Sequence, residues 1–307
     1  RLSRVTCAQL QTLLCVRHPD HAAQIAALPV LDVAPADEFP ADWADLLPTL
    51  TAFYRKSGFG RFAQYSVFSL DAQATLHPIT DYDPVALDDL IGYHSQRDAL
   101  LQNTQALLSG RGAANALLYG DKGTGKSSTV KAVFNHLRGE GLRMICVQKS
   151  QISLLPLVLE QLADNPLKFI VFLDDLSFSD VDDDYAALKA MMEGGQQRAL
   201  FNVALYVTSN RRHLVRETFS ARAGDEAHLA DTLDEASSLS DRFALTLTYL
   251  KLDRAGYLDM VGQLAARASL HADDAYRAAA LAYSVRKGGY SPRIAQQFTL
   301  QRARADA

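Results

Sequence analysis

The run Gly120-Asp121-Lys122-Gly123-Thr124-Gly125-Lys126-Ser127 lies between a short apolar stretch, Ala116–Tyr119, and a segment whose apolar residues recur at helical spacing, Lys126–Leu137. No other stretch restricts the fold so tightly. Its glycines let the backbone adopt conformations closed to other residues and turn successive N–H groups toward one concave surface. A helix starting at Lys126 adds the positive end of its dipole to that surface. Strand, glycine loop and helix in this order make a phosphate cradle. Gly120, Gly123, Thr124, Gly125 and Ser128 belong to the cradle, Lys126 reaches the terminal phosphates, and the Ser127 hydroxyl suits Mg²⁺.

Around this loop, apolar runs alternate with helical segments. Strands are expected at Ala116–Tyr119, Arg143–Gln148, Phe169–Leu173, Val203–Val207 and Ala244–Tyr249, and helices at Lys126–Leu137, Pro156–Leu162 and Asp184–Met192. Such alternation predicts an α/β fold with a five-stranded parallel sheet and flanking crossover helices. Three helical stretches without a strand follow, at about 254–268, 273–286 and 292–304, and predict a helical cap. The first part of the chain is rich in turns. Cys7, Leu10 and Leu14 share a helical face that should end at His18-Pro19, Pro29, Pro35, Pro40 and Pro48 keep later elements short, and Tyr65–Leu70 reads weakly as a strand. The expected domains are a small, mainly helical one over 1–84, a nucleotide-binding core over 85–250 and a helical lid over 251–307.

Two further strand ends carry polar groups. Phe169-Ile170-Val171-Phe172-Leu173 is a wholly apolar run that ends in Asp174-Asp175. Alone, two acids after such a run suggest a turn or helix cap. Downstream of a phosphate loop they suggest a crevice at the carboxyl end of a parallel sheet, with Asp174 holding Mg²⁺ and Asp175 orienting or deprotonating a water. Val203-Ala204-Leu205-Tyr206-Val207 leads to Thr208-Ser209-Asn210, and Asn210 suits either a helix N-cap or a hydrogen bond to that water or the γ-phosphate. Arg211 and Arg212 follow, either as exposed arginines or as partners of an anion.

Charge and cysteine usage limit the partners. With 31 basic against 35 acidic residues and a net charge of -4, nucleic acid across the whole surface is not favoured. Cys7, Cys15 and Cys146 form no disulfide framework, Arg1-Leu2-Ser3-Arg4 carries no apolar leader core, and the longest apolar run, Ala278–Tyr283, is far too short to span a membrane. A cytoplasmic protein is expected. Asp180, Asp182, Asp183 and Asp184 read as a solvated helix cap, His18 and His21 lack companions for a zinc site, Cys146 reads as a packed strand residue, and Lys122 stays unassigned.

Together these residues resemble the AAA+ branch of P-loop ATPases, from about Leu87 to Arg302. The resemblance makes Gly120–Ser127 the Walker A motif, Asp174-Asp175 the end of Walker B, and Asn210 the sensor-1 residue. It sets Ile91 and Gly92, in Leu90-Ile91-Gly92, against adenine. Arg242, in Ser240-Asp241-Arg242-Phe243, becomes an arginine finger acting on ATP in a neighbouring subunit, and Arg293, in Ser291-Pro292-Arg293, the sensor-2 residue. A structural salt bridge is the alternative for both arginines. More narrowly, Asp174-Asp175-Leu176-Ser177-Phe178, Thr208-Ser209-Asn210-Arg211-Arg212-His213-Leu214 and Ser238-Leu239-Ser240-Asp241-Arg242-Phe243 resemble the bacterial group called domain of unknown function 815.

The resemblance implies ATP/ADP and Mg²⁺ as cofactors, a ring or filament-like homo-oligomer when ATP is bound, and hydrolysis in the service of an unknown protein partner. Asp175 stands where the broad family has Glu, and its shorter side chain implies slow turnover or help from a neighbour. Two alternatives stay open: a slowly hydrolysing nucleotide-gated switch or scaffold, and an initiator- or loader-like ATPase on nucleic acid. Threading of a protein substrate is not favoured, because Lys149–Leu167 contains no aromatic residue.

Overall fold

Phe169–Leu173 has no polar side chain to turn toward water, and the structure buries all five residues to 3% exposure or less. Side chains of this size each contribute about 1.5–3 kcal/mol on burial, so the strand is fixed at the centre of a two-faced sheet. The coordinates are a computed structural model that describes residues 7–17, 19–26, 47–177, 183–193, 201–210 and 242–305. The chain divides into two compact units, residues 1–65 and 66–307.

In the first unit, α1 (Cys7–Arg17) stops just before His18-Pro19 and is tied to α2 (Ala22–Ala26) by Gln11 Nε2, which donates to the Ala26 carbonyl at 3.1 Å. The helices α3 (Leu47–Ser57) and α4 (Arg61–Gln64) follow in the same unit.

The second unit is built on a sheet of β1 (Val67–Leu70), β2 (Leu76–Pro78), β3 (Ala116–Gly120), β4 (Leu142–Val147), β5 (Lys168–Leu173), β6 (Val203–Ser209) and β7 (Leu245–Tyr249). Their order is β2-β1-β4-β5-β6-β3-β7, and β1–β2 is the antiparallel pair. The five expected strands are present and parallel, so the α/β class stands, but the sheet has seven strands. The other two come from residues 67–78, grouped by sequence with the N-terminal region; β1 falls within the weak strand reading at Tyr65–Leu70, and β2 has no counterpart in it. Asp71 makes their turn, accepting from Gln73 N at 2.9 Å and Thr75 N at 2.8 Å. His77, hydrogen-bonded to the Asp71 carboxylate, holds its pKa down to about 2.

Helices α5 (His94–Leu108), α6 (Lys126–Leu137), α7 (Leu155–Leu162) and α8 (Asp183–Glu193) accompany the strands. α5 has no counterpart among the expected elements. Its buried stripe is Leu100, Thr104 and Leu107, and the threonine hides the apolar period: Thr104 Oγ1 donates to the Leu100 carbonyl and lies 2.8 Å from Tyr206 Oη.

The helices α9 (Arg254–Arg267), α10 (Asp274–Lys287) and α11 (Pro292–Ala305) pack around their own core of Tyr257, Met260, Val261, Ala280, Ala295 and Phe298. Asp253 and Asp273 cap the first two by accepting from Gly256 N and Tyr276 N, each at 2.7 Å, and Pro292 opens the third, where its missing N–H costs nothing. Among the described residues no helix is long and apolar enough to cross a membrane.

Candidate nucleotide site

The phosphate loop joins the end of β3 to the start of α6. Gly120, Gly123 and Gly125 all have positive φ, at 136°, 77° and 97°. Gly120 is also where β3 pairs with β7 opposite Tyr249, and a Cβ there would stand 2.0 Å from the Tyr249 carbonyl oxygen. Neither backbone can retreat without breaking the pair. Gly120→Ala is therefore expected to lower the stability of this unit by about 3 kcal/mol or more. An unchanged midpoint in chemical denaturation would show that β3 and β7 do not approach in this way.

Lys126 is 7% exposed, and its ammonium donates to the carbonyls of Gly120 and Asp121, each at 2.8 Å, and to Asn210 Oδ1 at 3.1 Å. Burial lowers its pKa, while the nearby carboxylates of Asp175, Asp121 and Asp174 oppose that shift. Thr124 braces the loop from within by donating to the Asp121 carbonyl at 2.8 Å.

Facing the loop are the ends of β5 and β6. The last residue of β5 is buried, and the next two, Asp174 and Asp175, are exposed. Asp174 Oδ1 accepts from Ser127 Oγ and from Thr208 Oγ1, both at 2.5 Å. Asp175 has φ +52°, a left-handed conformation uncommon for residues other than glycine, and its carboxylate accepts from Asn210 Nδ2. Lys126, Asn210 and Asp175 thus form a continuous hydrogen-bonded chain, with Ser127, Asp174 and Thr208 beside it.

These groups open onto a cleft of about 390 Å³. Ile91, Gly92, Gly123, Thr124, Gly125, Lys126, Ser127, Ser128, Asp174, Asp175, Asn210 and Arg293, each singled out from sequence, line this one space. Gly120 stands at its base through the carbonyl that holds Lys126. Ile91 also packs against the core of the three C-terminal helices, whose Met260 and Leu264 wall the cleft, so its two sides come from the sheet and from that bundle. Arg293 is tied to the loop by its backbone N–H, which donates to Gly123 O at 3.2 Å.

Arg242 is placed elsewhere. It is exposed, three residues before β7, and does not line the cleft. Because β7 runs parallel to β3, Arg242 sits at the entry end of the strands and the phosphate loop at their exit end. Arg211, Arg212 and 238–241 lie outside the described residues. Cys146, on β4, is partly buried, and burial raises its thiol pKa to about 11.

Thr208 and Tyr93 are among the cleft residues not singled out from sequence. Thr208 was expected beyond the end of its strand, whereas β6 runs on to Ser209 and buries both residues. Tyr93, at φ +50°, lines the cleft and donates its hydroxyl to the Leu250 carbonyl at 2.5 Å, while burial raises its pKa to about 12. No local signal marks either residue, because each role arises from a strand or linker distant in sequence.

The donor set suits a hard cation: Ser127 and Asp174 offer a hydroxyl and a carboxylate oxygen side by side, of the kind preferred by Mg²⁺. A family model described as "Protein of unknown function (DUF815)" matches residues 63–305. The chain belongs to this family. In this chain the loop strand β3 lies between β6 and β7 in the mostly parallel sheet. Among curated proteins none matches the chain. Similar solved structures include the RuvB Holliday junction branch migration motor of Thermotoga maritima, at 18% identity and TM-score 0.45 over 71% of this chain and 63% of that one. They also include replication initiator DnaA bound to AMPPCP and single-stranded DNA, at 16% and 0.46 over 73% and 66%. A structure of katanin self-assembly matches at 18% and 0.36 over 60% and 59%. This chain thus spans less than two thirds of the length of the RuvB structure.

Proposed function

We propose that the protein binds ATP with Mg²⁺ in this cleft and hydrolyses it slowly, using the nucleotide state to act on a protein partner in the cytoplasm. The observation that carries this reading is the pair of hydrogen-bonded connections from the phosphate loop to the strand ends, Lys126 through Asn210 to Asp175 and Ser127 to Asp174. The loop's N–H groups and the start of α6 receive phosphate oxygens, and Lys126 turns its ammonium from the loop carbonyls to the terminal phosphates. Ser127 and Asp174 hold the Mg²⁺, which when bound offsets phosphate charge. Ile91 and Gly92 border the base, and Arg293 reaches the phosphates from the bundle side.

In hydrolysis a water oxygen bonds to the γ-phosphorus, the bond from that phosphorus to the β–γ bridging oxygen breaks, and Asp175 accepts the water's proton while ADP departs. Asn210 already binds one Asp175 oxygen, which fixes the direction of the other. The short aspartate, held from both its backbone and its carboxylate, favours slow turnover and keeps the nucleotide-gated switch as the second reading. The loader-like alternative turns on Arg211 and Arg212, outside the described residues. Arg242, exposed at the far end of β7, acts in this reading on ATP held by an adjoining copy of the chain.

The two acids provide the test. Asp174→Asn is expected to weaken Mg²⁺-dependent ATP binding by about 10- to 100-fold. Asp175→Asn should keep ATP bound and lower turnover by about 10²-fold or more, and Asp175→Glu should raise turnover above wild type. Calorimetry with ATP and Mg²⁺, alongside phosphate release, reads all three. Wild-type turnover by Asp175→Asn would remove that residue from the chemistry, and wild-type protein that binds no ATP would overturn the reading.

A further inference from the structure

Thr208 bonds to three successive residues beyond β5. Its Oγ1 donates to Asp174 Oδ1 at 2.5 Å and accepts from Asp175 N at 2.8 Å, and its carbonyl accepts from Leu176 N at 2.8 Å. The residue is 1% exposed and sits on β6, where the neighbouring Val207 pairs with Leu173. We propose that Thr208 is a positioning residue: its hydroxyl holds Asp174 and Asp175 against the phosphate loop and thereby sets how much Mg²⁺ the site requires. The inference rests on the ATPase reading and deepens it.

A hydroxyl has one proton to give. Here it goes to the carboxylate that Ser127 also reaches, so Asp174 Oδ1 is held from the loop side by one hydroxyl and from the sheet side by another. Thr208 Oγ1 itself accepts the N–H of Asp175, a residue in a left-handed conformation that costs about 1–2 kcal/mol and persists only when its neighbours enforce it. Two residues later Asn210 binds the Asp175 carboxylate. The end of β6 therefore controls both acids, their location through Thr208 and the direction of one oxygen through Asn210. Valine at 208 would keep the β-branched shape but remove both side-chain bonds, leaving Asp174 with one donor fewer and freeing the turn to shift away from Ser127.

The experiment uses the full chain as wild type, Thr208→Val, Thr208→Ala and Thr208→Ser. For each, ATP affinity is measured by calorimetry in EDTA and across a Mg²⁺ titration, together with turnover and melting temperature. Thr208→Val and Thr208→Ala should bind ATP in EDTA within about twofold of wild type and need about 10- to 100-fold more Mg²⁺ to reach half of the metal-dependent gain in affinity, with turnover lowered over a similar range. Thr208→Ser loses a buried methyl and should melt lower, yet keep the wild-type Mg²⁺ requirement because it keeps the hydroxyl. Should Thr208→Val fail to fold, Thr208→Ala and Thr208→Ser carry the comparison. A wild-type Mg²⁺ midpoint in Thr208→Val or Thr208→Ala, whatever its melting temperature, or a raised midpoint in Thr208→Ser, overturns the proposal. If wild type binds MgATP but releases no phosphate, hydrolysis is wrong while the binding arm still decides the role of Thr208. If wild type binds no ATP, both fall together.

Discussion

Arg242→Ala should bind ATP as wild type does and lose turnover by roughly 10³- to 10⁵-fold, the range associated with an arginine that stabilises charge on the transferring phosphoryl group. Arg242 is exposed and lies ahead of β7, whereas the phosphate loop leaves the far end of the parallel strand β3. Five residues of strand separate the two ends by about 16 Å, more than an arginine side chain can cover, so its own cleft is out of reach. Its target in this reading is ATP held by a second copy. Mixing Arg242→Ala with Lys126→Ala should then restore part of the activity, since the Lys126→Ala subunit binds ATP poorly but offers its Arg242 to a neighbour that binds it well. Specific activity of the wild type should rise with protein concentration near the assembly threshold. A particle that stays monomeric with a slowly hydrolysed ATP analogue, at constant specific activity, would return Arg242 to an ordinary structural role.

Lys126→Ala should weaken ATP binding by about 100-fold or more, equivalent to about 2.7 kcal/mol. The ammonium is a concentrated positive charge in a cradle otherwise made of neutral backbone donors, and burial allows few waters to take its place. A pH dependence follows from the lowered pKa of this amine. Binding draws on the protonated form, so affinity contributed by Lys126 is full below its pKa in the folded protein and declines as pH rises through it. That decline begins at a lower pH than for an exposed lysine. Titration calorimetry over neutral to alkaline pH, with Lys126→Ala showing no such decline, is the check. Wild-type affinity in Lys126→Ala would detach the phosphate loop from nucleotide binding.

What could be read from sequence was local chemistry. The phosphate loop declares itself because glycine spacing, lysine and hydroxyl lie within eight residues, and α6 begins and ends where its apolar spacing and flanking glycines place it. Asp174, Asp175 and Asn210 were legible because an apolar run ending in polar residues marks a strand that exits toward solvent. The positions that escaped depend on partners far along the chain. Thr208 acquires its role from residues 174–176, and α5 hides its buried stripe behind Thr104, whose hydroxyl is satisfied inside the core. β1 falls within the weak strand reading at Tyr65–Leu70 and β2 has no counterpart in it; at four and three residues they are too short for alternation to rise above the turn around Asp71, and their place is set by pairing with each other and, for β1, with β4.

That short hairpin has a consequence for solubility. Without it, β4 would form an open margin of the sheet, with Met144 N losing the Ser66 carbonyl to which it donates at 2.9 Å and the strand's outward N–H and C=O groups left bare. A row of this kind is a template on which another polypeptide can add, the first step toward aggregates. β1 occupies the template, and the strand outside it stops after three residues in Pro78, which has no N–H to offer. Residues 66–78 thus act as a selvedge, finishing this margin of the sheet so that it does not recruit further chains.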